Sequence, residues 1–398
     1  MKIFYGKAVY GTKEIKASLN VLKKKSLTLI DGPSVKSLEK KIASTFGKKF
    51  GLMVNSGSSA NLLALASLEL KKGSEIITPT LTFSTTVAPI YQLGLVPHFI
   101  DVGKNTFVVN IEQIKKAINK KTKAIIIPNL IGNVPDWKKI YSICRNYNLK
   151  IIEDSADTIG YKVNGSSLGS YSNITTNSMY ASHIITGAGF GGMVCFNDKK
   201  LYEKAKLLRG WGRSSAVFNE SEGIKKRFNT KVDGIPYDGK YIFHDIGYNF
   251  LPSEISAAFA LEQLKKLPKN IKIRVKNFEK LKKFFKNYPN LFDLPQQLKG
   301  LRTPWLAYPI IIKNSKINRQ KLQIFLEKRG IQTRTIFTGN ILRQPIMKKK
   351  FYKKVKNAEI NSNNIMKNGI LIGCHHGLKN TDLSFITKNL KLFINKYN

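Results

Sequence analysis

The chain has 398 residues, of which 42% are hydrophobic, and this length allows a substantial core and two domains. Its formal net charge is +42, but the lysines are spread along the whole chain, so we expect no nucleic-acid partner. The positive field would favour an anionic substrate. No apolar run approaches the roughly twenty residues of a membrane span, and the first residues lack the pattern of a secretory signal. We therefore expect a cytoplasmic protein without a membrane partner.

The sequence predicts no metal site. Cys144, Cys195 and Cys374 lie far apart and form no CxxC pair, which argues against a disulfide framework or a four-thiolate site. His375 and His376 are neighbours in the chain, and adjacent side chains point in different directions. We expect free, partly buried thiols and no bound metal.

Hydrophobic periodicity predicts alternating helices and strands in the first half of the chain. We predict helices at 12–30, 34–46, 61–70, from 82–86 onward and near 137–147, and strands at 50–54, 75–79, 96–101, 124–128 and 149–153. This order is typical of an α/β fold with a doubly wound, mostly parallel sheet that is covered on both faces.

The second half of the chain has a different pattern. Residues 200–245 are predicted to be irregular, and a long helix with Ser253 as its N-cap follows and ends near residue 285. A strand at 307–312, a helix near 319–330, a strand at 333–336 and a last helix at 381–397 indicate a modest α+β domain. We predict a large domain at 1–265 and a small domain at 266–398, which includes the connecting helix. In an alternative arrangement, the N-terminal helix packs on the small domain.

Several polar residues fall at the carboxyl ends of the predicted strands, where such sheets form their sites. Gly57 and Ser58 lie between a strand and a helix, and small residues at a helix N-terminus favour phosphate binding. A capped turn without a ligand explains the same pattern equally well.

Asp154 ends a predicted buried strand, where an isolated carboxylate would be unfavourable. It needs a positive partner, which could be a lysine or arginine, a metal ion or a protonated heteroaromatic nitrogen. The alternative is a structural role as a cap for the turn that starts at Ser155.

Ser178 and His183 precede the glycine-rich stretch 186–192. The hydroxyl and the imidazole are either a phosphate ligand with a proton-transfer group or ordinary polar residues of a loop. The residues alone do not decide between these interpretations.

Five motifs resemble those of the DegT/DnrJ/EryC1/StrS sugar aminotransferases. They are NSGSSA at 55–60, TF at 82–83, IEDSAD at 152–157, SMYASHIITGAGFGG at 178–192 and GYNF at 247–250. They follow the family's order and approximate spacing, and the resemblance extends beyond residue 390. It implies the aspartate aminotransferase fold (fold type I), with a large, mostly parallel sheet domain, a smaller α+β domain and pyridoxal phosphate (PLP) as cofactor.

The resemblance also implies how the cofactor is held. Gly57, Ser58 and Ser178 would bind its phosphate, and Asn249 would contribute from the partner subunit of a homodimer with shared active sites.

Three further residues would contact the cofactor ring. Phe83 would stack on the pyridine ring, and Asp157 would lie near the cofactor hydroxyl. Asp154 would keep the ring nitrogen protonated, so the ring would supply the positive partner that this carboxylate lacks.

The chain departs from the aminotransferase pattern at the position of the Schiff-base lysine, where it has His183. Imidazole cannot form a stable covalent link to the cofactor aldehyde, so the resemblance implies a cofactor that is not covalently attached. A histidine can still move protons near neutral pH, which makes His183 the candidate catalytic residue.

Two more stretches resemble the branch of the family that has this histidine, the nucleotide-sugar 3-dehydratases. They are RGWGR at 209–213 and RTIFTGNILRQP at 334–345. One type in this branch binds an iron–sulfur cluster through cysteines that follow the RGWGR stretch, and residues 214 onward offer none there, so we expect no cluster. Arg213, Asn340 and Arg343 are weaker candidates for substrate contacts, and ordinary salt bridges would explain the two arginines as well.

The branch uses the pyridoxamine phosphate (PMP) form of the cofactor to remove the C3 hydroxyl of a nucleotide-linked 4-keto-6-deoxyhexose, and glutamate regenerates PMP. The resemblance favours GDP-4-keto-6-deoxymannose as substrate, in the biosynthesis of 3,6-dideoxysugars such as the colitose of lipopolysaccharide O-antigen. Two alternatives remain: a nucleotide-sugar aminotransferase that uses another lysine, and a non-catalytic basic binding protein on the same scaffold.

Overall fold

The computed structural model describes residues 2–24, 29–217 and 223–396, without the side chain of Lys226. Its helices are α1 Thr12–Lys23, α2 Pro33–Thr45, α3 Gly57–Ala66, α4 Ser84–Gln92, α5 Ile111–Ala117, α6 Trp137–Asn146, α7 Lys199–Arg209, α8 Ile224–Phe228, α9 Glu254–Phe285, α10 Arg319–Lys328, α11 Ile360–Asn368 and α12 Asn380–Ile394. Its strands are β1 Phe50–Val54, β2 Glu75–Pro79, β3 Val96–Ile100, β4 Thr122–Pro128, β5 Lys150–Asp154, β6 Lys162–Val163, β7 Ser166–Ser167, β8 Ile174–Ser178, β9 Gly192–Phe196, β10 Thr230–Val232, β11 Ile235–Tyr237, β12 Phe292–Asp293, β13 Ala307–Ile312, β14 Thr333–Arg334, β15 Lys353–Lys354 and β16 Gly369–Gly373.

The large sheet contains eight strands in the order β1-β9-β8-β5-β4-β2-β3-β15. Strand β9 is antiparallel to both of its neighbours, and the pairs from β8 to β15 are parallel. The predicted α/β class with a mostly parallel sheet is therefore confirmed.

Both faces of this sheet are buried, because successive strand residues point to opposite sides. In β1, Leu52 and Val54 join one hydrophobic cluster while Met53 joins the other. In β4, Ile125 and Ile126 divide in the same way. With both faces covered by helices, the carboxyl edge of the strands is the part of the sheet that remains available for a site.

A second, antiparallel sheet has the order β12-β13-β16-β14. The C-terminal half of α9 packs on it through Phe278 and Phe285, which belong to the same buried cluster as the strands. Helix α1 packs along α9. Helix α9 runs without a break from 254 to 285 and connects the two sheets. The domain boundary between residues 265 and 266 stays a prediction.

The C-terminal part of the chain is also attached to the far edge of the large sheet. There β15 pairs with β3, and Lys353 forms an ion pair with the buried Glu75 at 2.6 Å. Nearby, the carboxylate of Asp101 accepts hydrogen bonds from the Asn361 N–H at 2.7 Å and the Ser362 hydroxyl at 2.6 Å. These polar contacts fix the position of α11 relative to the large sheet.

The prediction of an irregular stretch at 200–245 is wrong for its first part, which forms α7. The Asp198 carboxylate caps this helix by accepting hydrogen bonds from the N–H groups of Lys200 and Leu201. Ala205 and Leu208 then pack into the core. A capping residue followed by an apolar stripe is a helix signal that the lysine-rich composition obscured.

Other predicted boundaries shift by a few residues. Helix α3 begins at Gly57, not at residue 61, because the Ser56 side chain accepts a hydrogen bond from the Ser59 N–H at 3.0 Å. The helix predicted at 12–30 ends at Lys23, and residues 25–28 lie outside the described residues. The predicted strand at 333–336 has two residues, and the last helix ends at Ile394, with residues 397 and 398 not described.

The three cysteines are free thiols, as expected, and all three are buried. In the part of the chain that the structure describes, no three or more His, Cys, Asp or Glu side chains are grouped as a metal site would require. The same residues include no helix with the length and hydrophobicity needed to cross a bilayer.

Replacing Glu254 with Gln should destabilise the fold, because this buried carboxylate caps α2 from the start of α9. It accepts hydrogen bonds from the Val35 N–H at 2.8 Å and the Ser34 N–H at 3.0 Å, at the positive end of the α2 dipole. The amide of Gln carries no charge and has only one oxygen to accept these two hydrogen bonds. We therefore expect the free energy of unfolding to fall by about 1–3 kcal/mol. Urea unfolding followed by circular dichroism measures it. The control is Glu262→Gln, which removes an ion pair with the exposed Lys265 and should change stability little.

Candidate active site

The carboxyl ends of neighbouring strands bring the predicted cofactor residues together. Asp154 ends β5 and Ser178 ends β8, while Gly57 begins α3 just after β1 and Phe83 caps α4 just after β2. Since β1, β9, β8, β5, β4 and β2 are consecutive in the sheet, these residues lie along its carboxyl edge, and the space that they border is the candidate cleft.

The first turn of α3 lies against Ser178. A Cβ atom on Gly57 would be 2.5 Å from the Ser178 Cβ, so only glycine allows this approach. Ser58, the next residue, is exposed. Backbone N–H groups at the positive end of α3 and the Ser178 hydroxyl thus form the kind of concave donor group that binds a phosphate.

Asp154 is buried among neutral hydrogen-bond donors. Its Oδ2 accepts from the Asn61 amide at 2.8 Å and from the Thr86 hydroxyl at 2.9 Å, and its Oδ1 accepts from the Ala156 N–H at 3.1 Å. Burial raises the pKa of Asp154, and the hydrogen bonds from Asn61 and Thr86 oppose that rise. Among the described residues no lysine or arginine forms an ion pair with it, so the carboxylate caps its turn and still lacks a cationic partner.

Phe83 presents an aromatic face to the cleft. Its side chain is 50% exposed, and its ring meets Phe337 edge-on at a centroid distance of 6.1 Å. A planar ligand could therefore stack on it without displacing a neighbour.

His183 lies on the turn after β8, with its backbone N–H donating to the Tyr180 carbonyl at 3.0 Å. Its Nδ1 is 3.4 Å from the Ser178 carbonyl oxygen, so a proton on Nδ1 leaves the Nε2 lone pair free. Burial, and less strongly the positive charge of Arg274, lowers the pKa of His183 to about 4. The imidazole is neutral at pH 7 and can accept a proton at Nε2.

Asp157 stands next to this imidazole. Its Oδ1 is 3.9 Å from the His183 Nε2, too far for a hydrogen bond, and its Oδ2 accepts from the Ile131 N–H at 2.8 Å. Ile131 has a φ of +59°, which is rare for a β-branched residue, and the Leu306 N–H holds its carbonyl at 2.7 Å. Burial raises the pKa of Asp157 to about 7. The site therefore pairs a proton acceptor with a carboxyl group that titrates near neutral pH.

Asn249 is exposed, and its backbone forms a β-bridge with Gly210. Arg213, close by, stacks its guanidinium on the Trp211 ring at 4.2 Å, and its buried Nε has no hydrogen-bond partner among the described residues. A role for these two residues in the site stays a prediction.

The other two weak candidates belong to the segment that holds α11. Asn340 is fully buried, where its amide donates to Glu359 and Asn363 and its oxygen accepts from the Leu342 N–H. Arg343 is exposed and donates to the same Asn363 side chain. The geometry favours a structural role for Asn340, since every polar atom of its side chain is engaged.

Sequence reasoning missed the residues that support Asp154 and those that approach His183 from elsewhere in the chain. Asn61 and Thr86 lie on α3 and α4 a few residues after motif residues, and the polar side chain of Asn61 between Ala60 and Leu62 was a usable signal. Tyr5 and Arg274 come from distant segments, and no local pattern marks them.

These features fit pyridoxal phosphate. The Gly57–Ser178 contact provides a group of donors for an anion, and Phe83 provides an aromatic face. Asp154 provides a buried acid whose negative charge a protonated ring nitrogen would balance. The fold and the site thus define a pyridoxal-phosphate-type enzyme on the aminotransferase scaffold.

Comparison with known proteins gives the particular family: the pattern of the DegT/DnrJ/EryC1/StrS aminotransferase family matches residues 9–391. The chain is 35% identical over 392 residues to the GDP-4-keto-6-deoxy-D-mannose 3-dehydratase of Yersinia pseudotuberculosis, covering 96% of this chain and 95% of the relative. The protein belongs to the DegT/DnrJ/EryC1/StrS family.

Solved structures of GDP-4-keto-6-deoxymannose-3-dehydratase are similar over nearly the whole chain. One, with a trapped PLP–glutamate geminal diamine, has a TM-score of 0.86 and 31% identity, covering 98% of this chain and 100% of that chain. Another, a mutant with bound GDP-perosamine, has a TM-score of 0.86 and 32% identity with the same coverage.

Replacing Gly57 with Ala should weaken cofactor binding, because the added methyl group would push the first turn of α3 away from Ser178. We expect the dissociation constant for PLP to rise at least about tenfold, the effect of losing one charge-assisted hydrogen bond. Absorbance titration of the cofactor-free protein measures it. Gly11→Ala is the matched control, since a Cβ there would meet nothing within 4 Å. Equal PLP affinity in both variants would contradict the cradle.

Proposed function

We propose that the protein is a PMP-dependent 3-dehydratase that removes the C3 hydroxyl of a GDP-linked 4-keto-6-deoxyhexose, with GDP-4-keto-6-deoxymannose as the favoured substrate and glutamate as the amino donor. One observation carries the proposal: the turn after Ser178 offers a neutral imidazole where the aminotransferases of the family have a lysine. The similarity to enzymes named for this reaction supports it.

In this proposal the cofactor is bound without a covalent link to the protein. Gly57, Ser58 and Ser178 would hold its phosphate, Phe83 would stack on its ring, and Asp154 would keep its ring nitrogen protonated. When bound, the group supplies an amine that condenses with the sugar ketone and a ring that accepts electrons. Similarity to a structure with bound PLP and glutamate supports this choice of cofactor and donor.

His183 is the proton carrier. Its Nε2 is free to accept a proton while Nδ1 stays bound to the Ser178 carbonyl, and this contact fixes the ring orientation. The same nitrogen can return the proton to the departing C3 hydroxyl, because a low pKa makes the imidazolium a ready donor. Asp157 lies 3.9 Å away and, in its ionised form, would stabilise the imidazolium.

Replacing His183 with Gln should abolish dehydration and leave cofactor binding intact. Gln keeps the polarity of the position but cannot transfer a proton, so we expect the dehydration rate to fall about 10²- to 10⁴-fold. The measurement is formation of the 3-deoxy sugar from GDP-4-keto-6-deoxymannose with glutamate and PLP, analysed by mass spectrometry. An aminated sugar as the wild-type product would instead support the aminotransferase alternative. PLP affinity is the control, and full dehydration by the variant would refute the base assignment.

We also propose a homodimer with shared sites. The segment from α8 to Tyr248 exposes apolar side chains that a monomer would leave in water, namely Ile224, Phe228, Ile235, Phe243 and Ile246. Asn249 adjoins this surface and is exposed. In the proposed dimer the surface is covered by the second subunit, and the partner subunit's Asn249 reaches the cofactor phosphate.

Mixing two inactive variants tests the sharing of sites. If each site takes His183 from one subunit and Asn249 from the other, a dimer of one His183→Gln chain and one Asn249→Ala chain has one intact site. Unfolding and refolding the mixed variants should therefore restore about a quarter of wild-type activity. Each variant refolded alone is the control. No recovery in a mixture that forms hybrid dimers would contradict shared sites.

A further inference from the structure

The segment Ile3–Gly6 is hydrogen-bonded to residues 330–332, which lead into strand β14 of the second sheet. The Ile3 N–H donates to the Gly330 carbonyl at 2.7 Å, and the Gln332 N–H donates to the Ile3 carbonyl at 2.8 Å. The Tyr5 N–H donates to the Gln332 side-chain oxygen at 3.0 Å. These bonds fix the backbone of a segment that is more than 300 residues away in sequence.

This segment touches the turn that carries His183. A Cβ atom on Gly6 would lie 2.7 Å from the Cβ of Ser182, the residue before His183. No side chain fits between the two backbones, so Gly6 permits the contact. Tyr5 consequently stands at the border of the site.

The Tyr5 phenol is a protonated hydrogen-bond donor. Burial, followed by the negative charge of Asp157, raises the pKa of Tyr5 well above its usual range. Among the described residues its hydroxyl has no hydrogen-bond partner, although its side chain packs partly against the hydrophobic core. A donor of this kind at the border of a site is available to a ligand.

Two guanidinium groups act on this phenol through their charge, and neither has an acidic partner among the described residues. Arg334 is exposed, with its guanidinium carbon 5.9 Å from the Tyr5 ring centroid, and it donates to the Thr333 carbonyl. Arg274 is fully buried, donates to the carbonyls of Trp305 and Leu306, and leaves its Nη2 without a partner. An unpaired buried cation is costly, and a ligand anion nearby would reduce that cost.

We propose that Tyr5 and Arg334 bind a carboxylate of the amino donor, and that the buried Arg274 strengthens this subsite through its charge. The inference rests on the proposed function, in which glutamate is that donor. Arg334 supplies planar donors that match a carboxylate, and Tyr5 adds one hydrogen bond from the side of His183. A neutral sugar would not need two cations here. The diphosphate of the nucleotide sugar is the other anion that could occupy this position, and the test separates the two.

Titration calorimetry of the cofactor-loaded protein with two probes distinguishes the carboxylate from the diphosphate. The probes are glutarate, a dicarboxylate that has no amino group to react, and GDP, which carries the diphosphate. We expect Tyr5→Phe to weaken glutarate binding about tenfold and Arg334→Met about a hundredfold, with GDP binding unchanged. Tyr10→Phe and Arg145→Met are the controls, because both residues are exposed and neither contributes to the subsite.

A second readout is conversion of bound PLP to PMP by glutamate, followed by absorbance. Tyr5→Phe should raise the glutamate concentration for half-maximal rate and leave the dehydration half-reaction from the PMP form unchanged, a split that a merely structural role would not produce. Weakened GDP binding with unchanged glutarate binding, or no glutarate binding to the wild type, would overturn the proposal. If wild-type protein binds glutarate but glutamate never converts PLP, the proposed function fails instead.

Discussion

The buried carboxylate of Asp154 is the constraint around which the large sheet is arranged. Three elements turn polar side chains toward it: Asn61 from α3 and Thr86 from α4 donate to it directly, and Thr176 from β8 donates to the Asn61 oxygen at 2.6 Å. Each of these donors is neutral, so they hold the carboxylate in place without cancelling its charge. A cationic group is the kind of partner that would balance this charge.

The sequence predicted the fold class and this edge of the sheet because apolar strands and small residues at helix starts leave clear local patterns. Strand β8 escaped notice, since ITTNS at 174–178 is mostly polar yet fully buried. Two of its polar side chains have distant partners: the Asn177 amide donates to the Ser155 carbonyl at 2.7 Å, and the Thr176 hydroxyl donates to the Asn61 oxygen at 2.6 Å. Burial of that kind depends on residues far away in the chain, and hydrophobic periodicity does not report it.

The residues of the candidate site also fall into two groups, those that local sequence patterns predict and those that they do not. Asp154, Ser178 and His183 follow strand ends and fall into one cleft, because neighbouring strands deliver them there. Asn340 has an equally distinctive motif around it, but the side chain is turned into the protein to hold α11. A motif gives the position of a residue in the chain and does not give the direction of its side chain, which packing determines. Contacts across hundreds of residues, such as Tyr5 with Gln332, have no local signature at all.

The pairing of Ile3 with Ile331 has a consequence for how the protein matures. A contact between residues so far apart forms only after most of the intervening chain has been synthesised and has closed a very long loop. Until then the turn before His183 has no cover from Gly6, and Tyr5 has no fixed position. Every strand of the large sheet except β15 precedes residue 331 in the chain and can pair before this contact forms. The wall beside the His183 imidazole needs the contact itself, so the candidate site is completed late in synthesis.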